Sequence, residues 1–546
     1  MKISKKIIIF IVVAVVAASS AIAIILCCKP KNDLESDLSE YVRSQREKWY
    51  IGQNKKLTWY IGINWWSYTN EWTSYPVLKE VSQITGVVPK TSIAQDGENT
   101  ALKLRMANDR LPDLITIGVD DPLLEELIEG GYVYSYNELI NEYCGDYADW
   151  NTFISWCSED YWNYTAWQSS NAKYDGKIYG LNSFYYPNVE DIGQFTFNVK
   201  EDVYKAIGSP DMTTEENFVA ALRKVKQAYP DMHPLALPES WYYWIFEEAF
   251  GVLPFYVTND GVKMRIKNPE FEMAMLFLRR LYEEELLDPD VFTTQDYTTD
   301  LAAGNIFCYP MTYWGLDEVN ASLGKGKRFI SIEPLRGDDI GDNVRFQGTS
   351  RRGWTTTLIS KNCADPETAV KFAEYMFSRD GNMLVMYGHE NEHYTITEKG
   401  EVQRTAEVVA RRNENLTKFE NETGIFTQRL FNYPYYHEAE NQDEYTRTSA
   451  EIAGKYCYDG TVFTYKMTPS TTTRLGAISV QIWAKYNALF PQMVTASSDD
   501  AARTLLANTL QEMENLGLKQ LEGYWTEQYN KNVQRFGDPF AEQGVL

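Results

Sequence analysis

At 546 residues, 44% of them hydrophobic and 14% aromatic, the chain is too long for one core and too apolar to be disordered, so two or more lobes are expected. Its 76 acidic residues outnumber 52 Lys and Arg, and a formal charge of −24 repels nucleic acid, which is excluded as a partner. The 38 Tyr and 15 Trp exceed the usual needs of a core. A ring with an apolar face and a polar edge suits wet interfaces and sugar rings, with a Tyr-rich core as the plain alternative.

Lys2, Lys5 and Lys6 precede an apolar run from Ile7 to Leu26, the pattern of an export signal. Three outcomes compete: cleavage after Ala21-Ile22-Ala23, lipidation of Cys27 or Cys28, or retention of the run, ~20 residues long, as a membrane helix. The favoured reading is a lipid anchor, although Leu26 stands where a lipobox wants a small residue. Residues 1–28 are thus a signal peptide or anchor, and the charged stretch 29–56 a tether. Cys144, Cys157, Cys308, Cys363 and Cys457 are widely spaced with no C-x-x-C, which argues against a zinc site or disulfide framework. One bridge, Cys144 to Cys157, and buried free thiols both remain open.

Leu57–Ile61 reads as a buried strand, followed at once by Gly62, Asn64, Trp65, Trp66 and Tyr68. Ligands of open α/β sheets bind beyond the carboxyl ends of strands, so this aromatic pair marks a cleft. Tyr75-Pro76 opens a helix to Ile84, and Val87-Val88 is a strand ending at Pro89. A helix from Ala101 then runs through a polar turn into Leu111-Pro112-Asp113-Leu114-Ile115, and Glu125–Gly130 is the next helix. Alternating strands and helices with short loops predict a largely parallel sheet covered on both faces.

Tyr174 to Pro187 joins an Asp175-Gly176 turn, a glycine at 180 that frees the backbone, and a wall of rings ending in Tyr186. A second lobe begins with the strand Phe195–Val199, and Thr213 or Thr214 caps a helix carrying Phe218, Leu222, Val225 and Tyr229. Trp241-Tyr242-Tyr243-Trp244 places four rings in a row, which cannot all face one core from a helix. Leu301–Trp314 returns to the first lobe, Pro366 starts a helix to Ser378, and Thr472–Phe536 is strongly helical.

The segment Asp175-Gly176-Lys177-Ile178-Tyr179-Gly180-Leu181 resembles the larger bacterial extracellular solute-binding proteins of family 1, the LplA-like lipoproteins. The Leu-Pro-Asp turn at 111–113, the segment 133–143, Gly208, Pro210, the run 301–314, Tyr387-Gly388-x-Glu390 with Tyr394, and Asn515-Leu-Gly-Leu-Lys fit the same family in order. The resemblance implies an α/β, periplasmic-binding-protein-like fold of type II, with two hinged lobes and a helical C-terminal region. Lobe 1 is expected over 57–173 and 301–365, and lobe 2 over 174–300 and 366–546. It also implies a monomeric, non-enzymatic receptor without cofactor, on the extracellular face of the cell membrane. Such a receptor binds a carbohydrate, in the first instance an oligosaccharide, for the permease subunits of an ABC importer. By position after strands or at lobe crossings, the expected ligand contacts are Trp65, Trp66, Tyr186, Trp241, Trp244, Trp314 and Trp354, with Asp113 as a polar candidate.

The competing class is a secreted glycosidase or zinc hydrolase. His389-Glu390-Asn391-Glu392-His393 fits H-E-x-x-H, in which two histidines one helical turn apart bind zinc and Glu390 is the base. That chemistry needs a helix, whereas Gly388 precedes the motif and Tyr394–Thr397 follows with strand character. Neighbouring acids such as Glu390 and Glu392 do not establish the spacing a glycosidase needs.

Overall fold

The computed structural model describes residues 34, 38–66, 71–97, 99–144, 157–237, 243–293, 297–321, 323–324, 326–434 and 444–540. The first lobe starts with β1 (Lys55–Ile61), which pairs in parallel with β2 (Val87–Ile93) and with β3 (Leu114–Gly118). β2 runs straight through Pro89, where the sequence pattern ended it. It is the edge strand of its sheet, where proline's missing N–H can face away from the ladder. The helix Pro76–Thr85 covers one face with Val77, Leu78, Val81 and Ile84.

After β4 (Gly180–Asn182) the chain crosses to the second lobe. There β5 (Phe195–Lys200) and β6 (His233–Leu235) precede a hairpin of β7 (Phe255–Thr258) and β8 (Gly261–Met264). β9 (Ile306–Cys308), β10 (Met311–Thr312) and β11 (Phe329–Ile332) complete this lobe. The order is β10-β5-β9-β6, with β11 also on β5. The chain then returns through β12 (Phe346–Gln347) to β13 (Thr355–Ile359), which enters the first sheet antiparallel between β3 and β4. That sheet has five strands in the order β2-β1-β3-β13-β4.

These pairings and the packing of helices correct the expected division, beginning with the stretch read as a tether, where the helix Glu40–Trp49 buries Val42 and Trp49 in the first core. β4 belongs to the first sheet, so the Asp175-Gly176 turn precedes the crossing and is not the hinge. β9 and β11 pair with β5, which puts 306–332 in the second lobe, where Phe307 and Cys308 are buried. The helices Pro366–Phe377 and Arg379–Tyr387 bury Ala369, Phe372 and Leu384 in the first core, not the second. Gly180 is also no flexible joint: a Cβ there would lie 2.0 Å from Thr356 Oγ1, so only glycine lets β4 close on β13.

The helices Arg474–Val494, Asp499–Leu516 and Leu518–Phe536 pack into the second core through Ile482, Met513 and Trp525. Phe536 at their end reaches the first lobe. Cys144, Cys157, Cys308, Cys363 and Cys457 are all buried free thiols, so the possible Cys144–Cys157 bridge is not formed. Among the described residues no helix is long and apolar enough to cross a membrane. Cys27 and Cys28 lie outside the described residues.

Candidate functional site

The carboxyl ends of β1, β3 and β4 and the entry into β13 meet along one edge of the first sheet. β1 ends as the Gly62 N–H donates to the Thr116 carbonyl at 2.7 Å. A Cβ at Gly62 would stand 2.7 Å from Asn99 Oδ1 and 2.8 Å from Ile117 Cγ2, so glycine lets the chain turn tightly over the edge. The turn delivers Trp65 and Trp66. From the other side, the Trp354 N–H donates to the Ser183 carbonyl at 2.9 Å, and its carbonyl accepts from the Val119 N–H at 3.1 Å. Three indoles therefore converge on the edge where an open sheet binds its ligand.

Trp65 and Trp354 stack with centroids 5.6 Å apart and planes 23° apart, and Trp66 lies 5.7 Å from Trp354. Phe184 packs edge-on against Trp354 at 5.9 Å. The Arg429 guanidinium lies 4.5 Å from both the Trp66 and Phe426 rings. Trp66 is buried beneath, whereas Trp65 is 64% exposed. The stacked pair leaves no slot for a third ring, so the open face of Trp65 is the available platform. Covering about 100 Å² of it would return about 2.5 kcal/mol at 25 cal/mol per Å². Phe184 and Phe426 hold φ of 57° and 69°, a region costly for bulky side chains and often retained at functional sites.

The other expected contacts divide. Tyr186 is partly buried in the first crossing, with Tyr313 of the second lobe and Tyr387 of the first among its neighbours, and burial pushes its phenol up. Trp314 is 51% exposed on the helix Tyr313–Ala321, directly after β10. Trp244 packs edge-on against Phe195 at 4.6 Å, at the margin of the second core. Trp241 lies outside the described residues. Asp113 is a correction: it precedes β3 at the opposite edge from the tryptophans, and its carboxylate accepts from the Thr58 N–H at 2.7 Å and hydroxyl at 2.6 Å. It ties two strand ends together. Sequence reasoning missed Phe184, Phe426 and Arg429. The first sits in the run of rings before Pro187, while the other two come from the distant turns around Gly424 and carried no local signal.

A separate cavity of about 940 Å³ opens in the first lobe beside Tyr41, Glu80, His389 and His393. His389 Nε2 is 3.0 Å from Glu80, and this hydrogen bond raises the imidazole pKa. His393 Nδ1 instead accepts from the His389 N–H at 3.0 Å, and burial lowers its pKa. The H-E-x-x-H residues form a turn with Asn391 at φ 66°, not a helix, so the zinc geometry is absent. Among the described residues no cluster of His, Cys, Asp and Glu is placed to hold a metal.

No family model matches the chain, and no curated protein matches it. Solved structures do. An HMO-binding, ABC-transporter-associated solute-binding protein from Bifidobacterium longum infantis is 14% identical with a TM-score of 0.67, covering 88% of this chain and 99% of that one. The alginate-binding protein AlgQ2 without calcium ion is 16% identical with a TM-score of 0.64, covering 88% and 99%. The FusA substrate-binding protein of Streptococcus pneumoniae in complex with kestose is 15% identical with a TM-score of 0.61, covering 87% and 99%. At such identities the likeness speaks for architecture, and it spans nearly all of each relative: the chain has the two-lobed α/β fold of ABC-transporter solute-binding proteins.

Proposed function

We propose that this chain is an extracellular receptor that closes two lobes on a carbohydrate, an oligosaccharide in the first instance, and presents it to the permease of an ABC importer. The observation that carries the reading is the Trp65–Trp66–Trp354 platform at the carboxyl edge of the first sheet, beside both interlobe crossings. A flat, exposed indole accepts the C–H face of a pyranose, and sugar hydroxyls are left for polar edges around it. Tyr186 in the crossing and Trp314 on the facing lobe complete the proposed contact set. Solved relatives support the ligand class, since one is titled as binding HMO, one as binding alginate and one as a complex with kestose. Closure follows from population shift: the ligand stabilises the state in which both lobes touch it.

In this reading the chain performs no chemistry on its ligand, acts as a monomer, and is held outside the cell by a lipid on Cys27 or Cys28. A thermal-shift screen against oligosaccharides, followed by calorimetry, tests it. Ligand at a hundred times its Kd adds about 2.7 kcal/mol of stability. Recovery of the sugar unchanged supports a receptor, and its consumption would replace the reading with a hydrolase.

A further inference from the structure

Arg351 and Arg352 are consecutive in the second crossing, and their side chains serve different partners. Arg351 gathers the first crossing. Its Nε donates to the Tyr186 carbonyl at 3.1 Å and its Nη2 to the Pro187 carbonyl at 2.7 Å. Nη2 also reaches Asp160 at 2.6 Å, and Nη1 donates to the Tyr164 hydroxyl at 3.1 Å. Its backbone N–H donates to Asp459 at 3.3 Å, in the turn after the helix Glu444–Tyr456. Arg352, 3% exposed, donates to Asp120 at 2.8 Å and to the Val119 carbonyl at 3.3 Å, at the end of β3. Its guanidinium lies 4.2 Å over Tyr465, and its carbonyl accepts from Asn182 Nδ2 at 3.0 Å.

One pair of residues therefore ties together the first crossing, the second crossing, the carboxyl edge of the first sheet and the segment 459–465. The proposed ligand contacts hang on the same frame. Tyr186 owns a carbonyl that Arg351 holds, and Trp354 follows Arg352 by two residues. Arg351 has its donors committed to protein acceptors on several segments, so it acts on the site through its neighbours. A lysine, with donors radiating from one nitrogen, cannot reproduce this planar fork.

We propose that Arg351 is a positioning residue for the ligand site, registering the first crossing against the second so that Tyr186 and Trp354 stand at one spacing and the lobes move through one hinge. The proposal rests on the receptor reading above, but its principal test does not. Spin labels at Lys90→Cys in the first lobe and Lys224→Cys in the second, both exposed positions, report the interlobe distance in the full chain solubilised in detergent. The parent protein is expected to give a narrow distribution and R351Q a broadened one. R503Q, which removes an exposed ion pair to Glu272, is expected to leave it narrow. If R351Q does not fold, R351K carries the same measurement, because it keeps the charge and loses the fork. An unchanged distribution in the Arg351 variant overturns the proposal even if the melting temperature falls, since a purely structural contact would do only that. Kestose is the binding probe: where the parent protein binds it, R351Q should bind about tenfold more weakly. Failure of the parent to bind it counts against the receptor reading alone, because the distance measurement needs no sugar.

Discussion

The edge of the first sheet and the interior of the second lobe both carry unfavourable chemistry, and they handle it in opposite ways. At the edge, Trp65 leaves most of its indole in water above the buried Trp66. In the second lobe, Glu247, Glu248 and Arg265 are sealed from solvent, and each has found partners inside. Arg265 Nε pairs with Glu247 Oε2 at 2.7 Å, and the other oxygen of Glu247 accepts from the Tyr486 hydroxyl at 2.5 Å. Glu248 accepts from the Tyr458 hydroxyl at 3.0 Å and the Gln347 N–H at 2.9 Å. The buried cluster is closed off by the protein's own groups, although Glu247 Oε2 and Arg265 Nε make no hydrogen bond of good geometry, whereas the face of Trp65 stays open to solvent. That contrast is the ground on which Trp65 is the proposed contact and the buried cluster is scaffold.

Removing a partner from the sealed cluster should produce the largest effect. Arg265→Met strands Glu247 in a dry interior, and breaking a buried pair from one side costs about 3–5 kcal/mol. Urea unfolding should show a lower midpoint, and an unchanged midpoint would mean that the cluster is not cohesive. At the open edge the expectation is reversed. Trp65→Ala should change stability by no more than about 0.5 kcal/mol, because the ring is exposed, yet weaken oligosaccharide binding by about 2 kcal/mol or more. Trp244→Ala should do the opposite, costing stability through its contact with Phe195 while sparing affinity. Calorimetry on both variants reads the difference, and the two results exchanging places would make Trp244 the contact and Trp65 the scaffold.

The buried cluster also responds to pH. Burial pushes the Glu248 carboxyl up from 4.5 to about 8, against the pull of its hydrogen bonds and of Arg265. The folded state therefore holds a proton that the unfolded chain releases near pH 4.5. The stability contributed by neutral Glu248 is complete below that pH, erodes as pH rises, and is gone above about 8. Glu248→Gln should flatten the decline between those values relative to the parent. An identical pH profile in both proteins would show that Glu248 is already ionised in the fold.

Much of the architecture was legible because the strands and helices of both lobes follow simple patterns. Leu57–Ile61 and Phe195–Val199 read as strands, and Thr214 does cap its helix. Trp65 and Trp66 were singled out by one rule, position after a strand, and they do stand at the carboxyl end of β1. The failures have a common cause: local sequence does not say which sheet a short strand joins. Gly180 looked like a joint because it is a glycine after a turn, when its missing side chain instead serves contact with Thr356, nearly two hundred residues on. β9 read as a return to the first lobe, although pairing to β5 and β6 holds it in the second. Asp113 was a weaker polar candidate with a structural role as the equal alternative, and the pairing of β1 with β3 sets it against Thr58 at the far edge. Arg429 reaches Trp66 from another part of the chain, a nearness that no spacing encodes.

The smallest expected effect concerns the two histidines of the H-E-x-x-H turn. Hydrogen bonding to Glu80 raises the His389 pKa, so its contribution is present below about 6.5 and is lost as pH rises through the folded value. Burial lowers the His393 pKa, so its contribution is present above about 6.5 and is lost as pH falls. The two oppose each other across neutrality, and the Glu80 pair is partly open to solvent, so Glu80→Gln should cost only about 0.5 kcal/mol near pH 6. A zinc site would behave differently. Both imidazoles would be neutral and convergent, and a chelator would lower the melting temperature by several degrees. Equal melting curves with and without EDTA, together with a weak pH response of Glu80→Gln, fit a turn held by its own hydrogen bonds. A large chelator effect would return the motif to metal chemistry and set a second functional region against the tryptophan edge.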